Sequence, residues 1–264
     1  MKFTFQWGSR GFATSGDSGI QHKDFLQRLR QVPYYGSAER QRELQAGSLE
    51  ALSPVTLTEY LGSRALFSTR GRVSAAAFEY PVSPAPRTAV LHCGFRSNGA
   101  VRAFPEGWSD AVRRFLPEAI AAPVSDLNRL ALAVVENPDV LPELRHAAVA
   151  LIEVGEPLPD DSDRDLWWRA FGVPAFEYIV GPHGGALAME CEAREGLHIV
   201  SGRAFFEIES GELLVTPLAS SVARLRTGWA CQMAAGICPC GRDGARLLDP
   251  RPLPVVRELE AQVC

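Results

Sequence analysis

Two apolar segments with a helical pattern between them constrain the fold of this chain most strongly. The first, AAVALIEVG, ends in glycine, and the second is VPAFEYIV. Between them, LPDDSDRDLWWRAFG places apolar residues at helical spacing and ends at Gly172, which suits a helix C-cap. Strand, helix and strand in this order are typical of a parallel β-α-β unit. The sequence therefore predicts an α/β fold.

The pattern changes after about Pro182. Short segments with alternating apolar residues follow, ALAMEC, LHIV, AFFEIES and ELLVTPL, and glycine-bearing turns separate them. Such segments are typical of antiparallel strands. We therefore predict two parts, a reduced α/β body at residues 1–182 and a β-rich segment at residues 183–264, each within the usual size range of domains.

Further elements are predicted around this framework. The apolar run at 87–95 predicts one buried strand. GWSDAVRRFLPEAIAA predicts a helix with Ser109 as N-cap, and SDLNRLALAVVEN predicts another with Ser125 as N-cap. Nearer the N-terminus we expect a strand at 3–7, helices at 23–32 and 38–45, and a short helix from Leu57 capped by Thr56.

Composition excludes several classes of protein. The 264 residues carry a formal net charge of -4, so no basic surface for nucleic acid is expected. Apolar runs such as HAAVALIEVG are too short to cross a bilayer, and no membrane association is predicted. The N-terminus MKFTFQWGSRGF does not have the pattern of a secretion signal. We therefore expect a cytoplasmic protein whose cysteines are reduced or metal-bound.

Four residues in the β-rich segment have the character of metal ligands. Cys191 and His198 form one pair with Gly196 between them, and Cys238 and Cys240 form a second in GICPCGRDG. Two separated pairs of thiolate and imidazole ligands suit a closed structural Zn²⁺ site. Because a Cys3His set leaves no open coordination position, a catalytic role for the metal is disfavoured.

The same residues allow a simpler interpretation. Reduced cysteines often pack as small apolar side chains, and His198 could be an ordinary hydrogen-bonded strand residue. The single residue between Cys238 and Cys240 is a shorter spacer than most zinc sites have. Cys231 could compete for a ligand position, whereas Cys93 and Cys264 are expected to take no part.

Several ordered motifs resemble one enzyme family. ECEAREGLHI, GELLVTPL, ARLRTG and CPCGR follow one another as in the large domain of the phenylacetate-CoA ligase family of AMP-forming enzymes. VPYY, LSPVTLTEYL and VGEPLPDDSDRDLWWRAFG resemble earlier segments of that family, and residues 63–123 resemble it least. The resemblance implies an adenylate-forming-ligase-like large domain in reduced form, with a zinc site at Cys191, His198, Cys238 and Cys240.

The resemblance also implies two nucleotide-binding segments, retained here in vestigial form. One would pass beside the adenine of AMP and the other would lead to its ribose. They are Gly155, Glu156 and Pro157 for the adenine, and Arg226, Thr227 and Gly228 for the ribose.

Other parts of the family pattern are missing. The glycine-rich hydroxyl loop that would hold the ATP phosphates is not found, since the nearest segments, STRGRVS and FRSNGA, do not match it. Trp229 stands where the family has an aspartate for the ribose hydroxyls, and an indole can only donate a hydrogen bond. We therefore expect no intact ribose site.

The catalytic groups of the family are altered as well. Glu177 lies before the position of the family's metal-binding glutamate, to which Gly181 and His183 are nearest. The chain ends 24 residues after Cys240, which predicts no C-terminal lid domain and no catalytic lysine. No catalytic residue is therefore predicted.

Two functions from different classes remain open. We expect a reduced ligase-like protein with structural zinc that does not adenylate and instead binds an acyl or aryl carboxylic acid, a protein partner or a second copy of itself. The alternative is an active AMP-forming acyl- or aryl-CoA ligase that uses ATP and Mg²⁺ with substitute or partner-supplied residues. His22, His92 and His146 have no spaced partner and are assigned no role.

Overall fold

The computed structural model describes residues 54–56, 58, 75–82, 84–181, 184–217 and 224–254. Elements predicted at 3–7, 23–32 and 38–45, and nearly all of the helix from Leu57, lie outside these residues. The strands are β1 (Ala76–Ala77), β2 (Thr88–Val90), β3 (Phe95–Arg96), β4 (Val101–Ala103), β5 (Ala119–Pro123), β6 (Ala147–Glu153), β7 (Ala175–Val180), β8 (Ala186–Glu190), β9 (Leu197–Ile199), β10 (Ala204–Glu209), β11 (Glu212–Pro217), β12 (Leu225–Arg226), β13 (Trp229–Ala234) and β14 (Arg246–Pro252). The helices are α1 (Asp110–Phe115), α2 (Val124–Glu136) and α3 (Asp161–Phe171), with a 3-10 turn at Pro138–Val140.

A nine-stranded mixed sheet organises the molecule, in the order β13-β14-β9-β8-β7-β6-β5-β2-β4. The strands from β4 to β7 in that order are parallel, and those from β7 to β13 are antiparallel. The predicted α/β fold is confirmed, with β6, α3 and β7 as the β-α-β unit. This sheet contains strands from both sides of residue 182, so the division into two parts stays a prediction from composition.

A smaller sheet, β10-β11-β12, covers part of one face of the large sheet. Leu213 and Val215 from β11 pack against Ile152 and Ile179 of the large sheet, and all four side chains are buried. The same face carries α2 and α3, which bury a core between themselves and β5 and β6. The face is therefore covered by helices over one half and by the small sheet over the other.

Helix α3 shows how the local sequence sets its two ends. The Asp160 carboxylate accepts the backbone N–H of Asp163, while the Asp163 carboxylate accepts the N–H of Asp160. This reciprocal capping satisfies donors that the first turn leaves free. At the other end Gly172 has a φ of 63°, which confirms the predicted C-cap. Trp167 donates to the Asn128 side chain at 2.7 Å and joins α3 to α2.

Two predictions about helices need correction. Helix α2 has Pro123 rather than Ser125 at its N-cap position, because β5 runs directly into it and Ser125 lies inside the first turn. Ser109 does occupy the N-cap position of α1, without a side-chain hydrogen bond. The helix expected through GWSDAVRRFLPEAIAA ends at Phe115, where Leu116 adopts a left-handed conformation before Pro117, and the apolar residues that follow form β5.

The predicted strand at 87–95 is also interrupted. It consists of β2 and β3 with a tight turn between them, in which the His92 Nδ1 accepts the backbone N–H of Gly94 at 2.9 Å. Gly94 lies against Gly184, so closely that a Cβ on Gly94 would be 2.3 Å from the Gly184 Cα. The turn therefore requires glycine at both positions.

Within the described residues no helix has the length and apolarity that a bilayer crossing requires.

Replacing Gly94 with alanine is expected to destabilise the protein by about 2 kcal/mol or more, because backbone atoms of Gly184 must move to make room. Gly181→Ala is the matched control, since the nearest atoms to its added Cβ are Leu187 methyl groups at 3.5 Å. Urea unfolding of both variants measures the difference. Equal stability of the two variants would contradict the close packing at Gly94.

Candidate functional site

The four predicted metal ligands lie together at one end of the antiparallel strands. Cys191 follows β8 directly, and His198 is the central residue of β9. Cys238 and Cys240 lie on the connection from β13 to β14, whose residue Arg246 pairs with His198. The sheet register therefore brings residues that are 47 positions apart in sequence into contact.

A turn between Cys191 and His198 makes this arrangement possible. Gly196 has a φ of +93°, and a Cβ there would lie 2.5 Å from the Leu247 carbonyl oxygen. The Arg194 backbone N–H donates to the Cys191 carbonyl at 3.0 Å and closes the turn. Glycine is thus required for the chain to reverse so near β14.

The distances in the cluster suit a tetrahedral metal ion. The ligand atoms of all four residues lie within 4.8 Å of one another. The Cys191 and Cys238 sulfurs are 3.7 Å apart, and the Cys240 sulfur is 3.4 Å from the His198 Nε2. Zinc bond lengths in a tetrahedron require about 3.8 Å between two sulfurs and about 3.5 Å between sulfur and nitrogen. The residues present therefore fit Zn²⁺ without rearrangement of the backbone.

The electrostatic surroundings favour the ligand forms of two of these residues. Burial lowers the pKa of His198, and the nearby Arg242 and Arg246 lower it further, so the imidazole is neutral at neutral pH. For Cys238 burial opposes ionisation, but hydrogen bonds from the Cys240 backbone and from neighbouring thiols lower its pKa overall. Burial raises the pKa of Cys191, a cost that metal coordination would offset.

The remaining cysteines are placed differently. Cys231 is half-buried among apolar side chains, where desolvation raises the pKa of its thiol to about 12, and it is not part of the four-residue cluster. Cys93 is exposed. Cys264 lies outside the described residues.

The two segments predicted to contact a nucleotide lie beside each other, and a hydrogen bond from Trp229 connects them. Gly155, Glu156 and Pro157 follow the carboxyl end of β6, and Arg226, Thr227 and Gly228 connect β12 to β13. The indole Nε1 of Trp229 donates to the Glu156 backbone carbonyl at 3.1 Å. Trp229 is only 2% exposed and packs against Ile152, Val154 and Leu213.

Polar groups of the second segment are bonded within the protein. Glu212 accepts a hydrogen bond from the Arg226 guanidinium at 2.7 Å and from the Gly228 backbone N–H at 3.2 Å. The Thr227 hydroxyl donates to the Leu213 carbonyl at 2.7 Å and accepts the N–H of Trp229 at 3.0 Å. These groups thus already have partners in the protein.

Two polar contacts escaped the sequence interpretation. His92 is buried, and its Nε2 lies 3.2 Å from the Glu153 carboxylate at the carboxyl end of β6. Because Nδ1 accepts from Gly94, Nε2 carries the proton toward Glu153. Glu177 forms an ion pair with Arg164 of α3. No local signal could have revealed the first contact, since its residues are 61 positions apart.

Gly181, one of the positions near the expected metal-binding glutamate, lies at the end of β7 and bonds to Gly185. His183 lies outside the described residues.

The Cys3His cluster predicts about one zinc ion per chain, measured by inductively coupled plasma mass spectrometry on protein purified without chelator. Cys238→Ser is expected to lose the metal, and Cys93→Ser, an exposed cysteine outside the cluster, is expected to retain it. Removal of zinc by a chelator should lower Tm by about 5 °C or more. A metal-free protein whose Tm is unchanged by chelation would contradict the site.

Comparisons with known proteins show which solved structures this fold resembles. No protein-family model matches the chain, and no curated protein sequence does. Three structures of 2-hydroxyisobutyryl-CoA ligase are similar to it: the open conformation with 2-HIB-AMP and CoA, the thioesterification state with the same ligands, and the postadenylation state with R3-HIB-AMP. Identities are 16, 16 and 17%, TM-scores are 0.50, 0.51 and 0.51, and each match covers 86% of this chain. The chain spans 68, 66 and 66% of the length of those ligase chains.

A coronafacic acid ligase mutant from Pectobacterium brasiliense matches over 65% of this chain at 15% identity, with a TM-score of 0.40. Together with the mixed sheet and its order, the 2-hydroxyisobutyryl-CoA ligase structures show that this chain has an α/β fold resembling the large domain of adenylate-forming acyl-CoA ligases.

Proposed function

We propose that this protein is a ligase-like binding protein that has lost adenylation, with a structural zinc ion held by Cys191, His198, Cys238 and Cys240. In this proposal it is a divergent relative of the phenylacetate-CoA ligases, as its motifs suggest. It binds an acyl or aryl carboxylic acid, or a protein partner, without activating it. Its free thiols agree with a reducing compartment such as the cytoplasm.

The buried indole of Trp229 is the single observation that carries this proposal. It lies between the segment that would contact adenine and the segment that would contact ribose, and it is bonded to Glu156. A ribose needs acceptors for its hydroxyl groups, and the indole nitrogen is only a donor. An adenosine at this place would have to displace a buried aromatic side chain from its core.

The ion pair formed by Arg226 supports the same proposal. Its guanidinium donates to Glu212, whose side chain is 11% exposed. Adenylation needs positive charge directed at developing negative charge on phosphate. A guanidinium already paired with a nearly buried carboxylate contributes little to that task.

Zinc has a structural role in this proposal. Four protein ligands complete its tetrahedral shell, so the ion would link the end of β8 and the centre of β9 to the turn at 236–241. A zinc ion bound there would cross-link three chain segments and would not activate a water molecule.

The proposal predicts that MgATP does not bind at about 1 mM, the upper range of ordinary enzyme KM values. Isothermal titration calorimetry tests binding, and pyrophosphate release with a panel of aryl and fatty acids tests adenylation. Purified 2-hydroxyisobutyryl-CoA ligase is the positive control for both assays. Saturable MgATP binding with acid-dependent pyrophosphate release would overturn the proposal in favour of an active AMP-forming ligase.

Trp229→Phe should reduce the free energy of unfolding by about 1 kcal/mol, because the Glu156 carbonyl loses its hydrogen bond while most of the ring packing remains. Trp229→Ala should cost about 3–5 kcal/mol through the cavity it leaves. Urea unfolding measures both, with Trp168→Phe on an exposed helix position as the control. If Trp229→Ala were as stable as that control, the indole would not hold the two segments together.

A further inference from the structure

A cleft of about 830 Å³ lies on the face of the large sheet that carries α3. Residues of β7, β8 and β9 border it, the N-terminal part of α3 forms one wall, and residues at the end of β14 form the other. The volume lies within the usual range of small-molecule sites. Trp229, Glu156 and the four metal ligands do not line it.

The cleft is lined by more carboxylates than guanidinium groups. Five acidic and three arginine side chains border it: Asp160, Asp161, Glu177, Glu190 and Asp249, with Arg164, Arg194 and Arg251. Such an excess disfavours an anionic ligand and favours a cationic one.

Each guanidinium already has a protein partner. Arg164 pairs with Glu177 and with Asp161, and Arg251 pairs with Asp249. Arg194 donates to the Ala175 carbonyl at 2.9 Å, and its guanidinium carbon lies 5.4 Å from the centre of the Phe176 ring. Two of the three guanidinium groups are thus paired with carboxylates, and the third is held by a backbone carbonyl and an aromatic ring.

Glu190 differs from Glu177, the other partly buried acid of the cleft, which is paired with Arg164. Its side chain is partly buried at the end of β8, and its Oε2 accepts the backbone N–H of Glu177 at 3.1 Å. Among the described residues it has no ion pair within 4.0 Å.

An exposed aromatic ring completes the cleft. Trp168 of α3 lines it and is 61% exposed, an unusual position for a large apolar side chain. Leu158, Pro159, Val173 and Leu197 add apolar surface beside it. An indole face attracts organic cations through its π electrons and also packs against hydrocarbon.

We propose that this cleft binds a small organic ammonium ion with an apolar body. The ammonium group pairs with Glu190, and the hydrocarbon part lies against Trp168. A divalent metal ion fits less well, because Mg²⁺ and Ca²⁺ need several oxygen ligands and one oxygen of Glu190 is already bonded. The other carboxylates of the cleft are engaged with arginines or with the first turn of α3. The site does not depend on the loss of adenylation, since Trp229 and Glu156 do not line the cleft, but it shares the Cys191–His198 segment with the metal cluster.

Calorimetric titration with benzylammonium tests this proposal. We expect saturable binding at about 1 mM, which is reasonable for a ligand of this size. Benzyl alcohol shares the ring and has no positive charge, and it is expected to bind at least about tenfold more weakly. Equal binding of the two compounds, or no binding of benzylammonium, would overturn the proposal whatever the outcome with MgATP.

Two variants test whether benzylammonium binds in this cleft. Glu190→Gln keeps an oxygen for the Glu177 N–H and removes the charge, and should weaken benzylammonium binding about tenfold or more. Trp168→Ala, at an exposed position that folding does not require, should also weaken it. Glu143→Gln removes an exposed carboxylate away from the cleft and should leave the affinity unchanged. Wild-type affinity in both Glu190→Gln and Trp168→Ala would overturn the proposal.

Discussion

The burial of β6 on both faces is the constraint on which the rest of the structure depends. Residues 147–150 have no exposed surface, so the sheet must be covered on both sides. Helices α2 and α3 supply one layer, together with the small sheet. Phe78, Val90 and Tyr178 belong to the core on the opposite face. A strand of this kind is stable only in the centre of a layered fold, and parallel sheets such as the one around β6 are typically covered on both faces.

The change from parallel to antiparallel strands after β7 decides where the metal ligands meet. Because β8 returns beside β7 and β9 returns beside β8, Cys191 and His198 come to lie near β14. The connection from β13 to β14 then brings Cys238 and Cys240 to the same place. The turn has few backbone hydrogen bonds of its own, among them those from the Cys238 N–H to the Arg242 carbonyl and from the Gly241 N–H to the Cys238 carbonyl. A zinc ion there would stabilise this turn.

Trp229 links two segments that are far apart in the sequence. It follows Arg226, Thr227 and Gly228, and its indole donates to the Glu156 carbonyl. An aromatic side chain at this point gains burial in the core and uses its only polar atom on a backbone carbonyl.

The sequence by itself determined the features that depend on neighbouring residues. Periodicity predicted β6, α3 and β7, the glycine C-cap of α3, and the Cys and His types that suit zinc. It failed at Pro123 and at the turn of Gly94, where the next strand or a distant glycine overrides local preference. Only the tertiary structure decided the contacts between distant residues, such as His92 with Glu153, Trp229 with Glu156, and Glu190 with the cleft. The physical reason is that sheet order and strand register set these contacts, and neither is encoded in the spacing of residues along the chain.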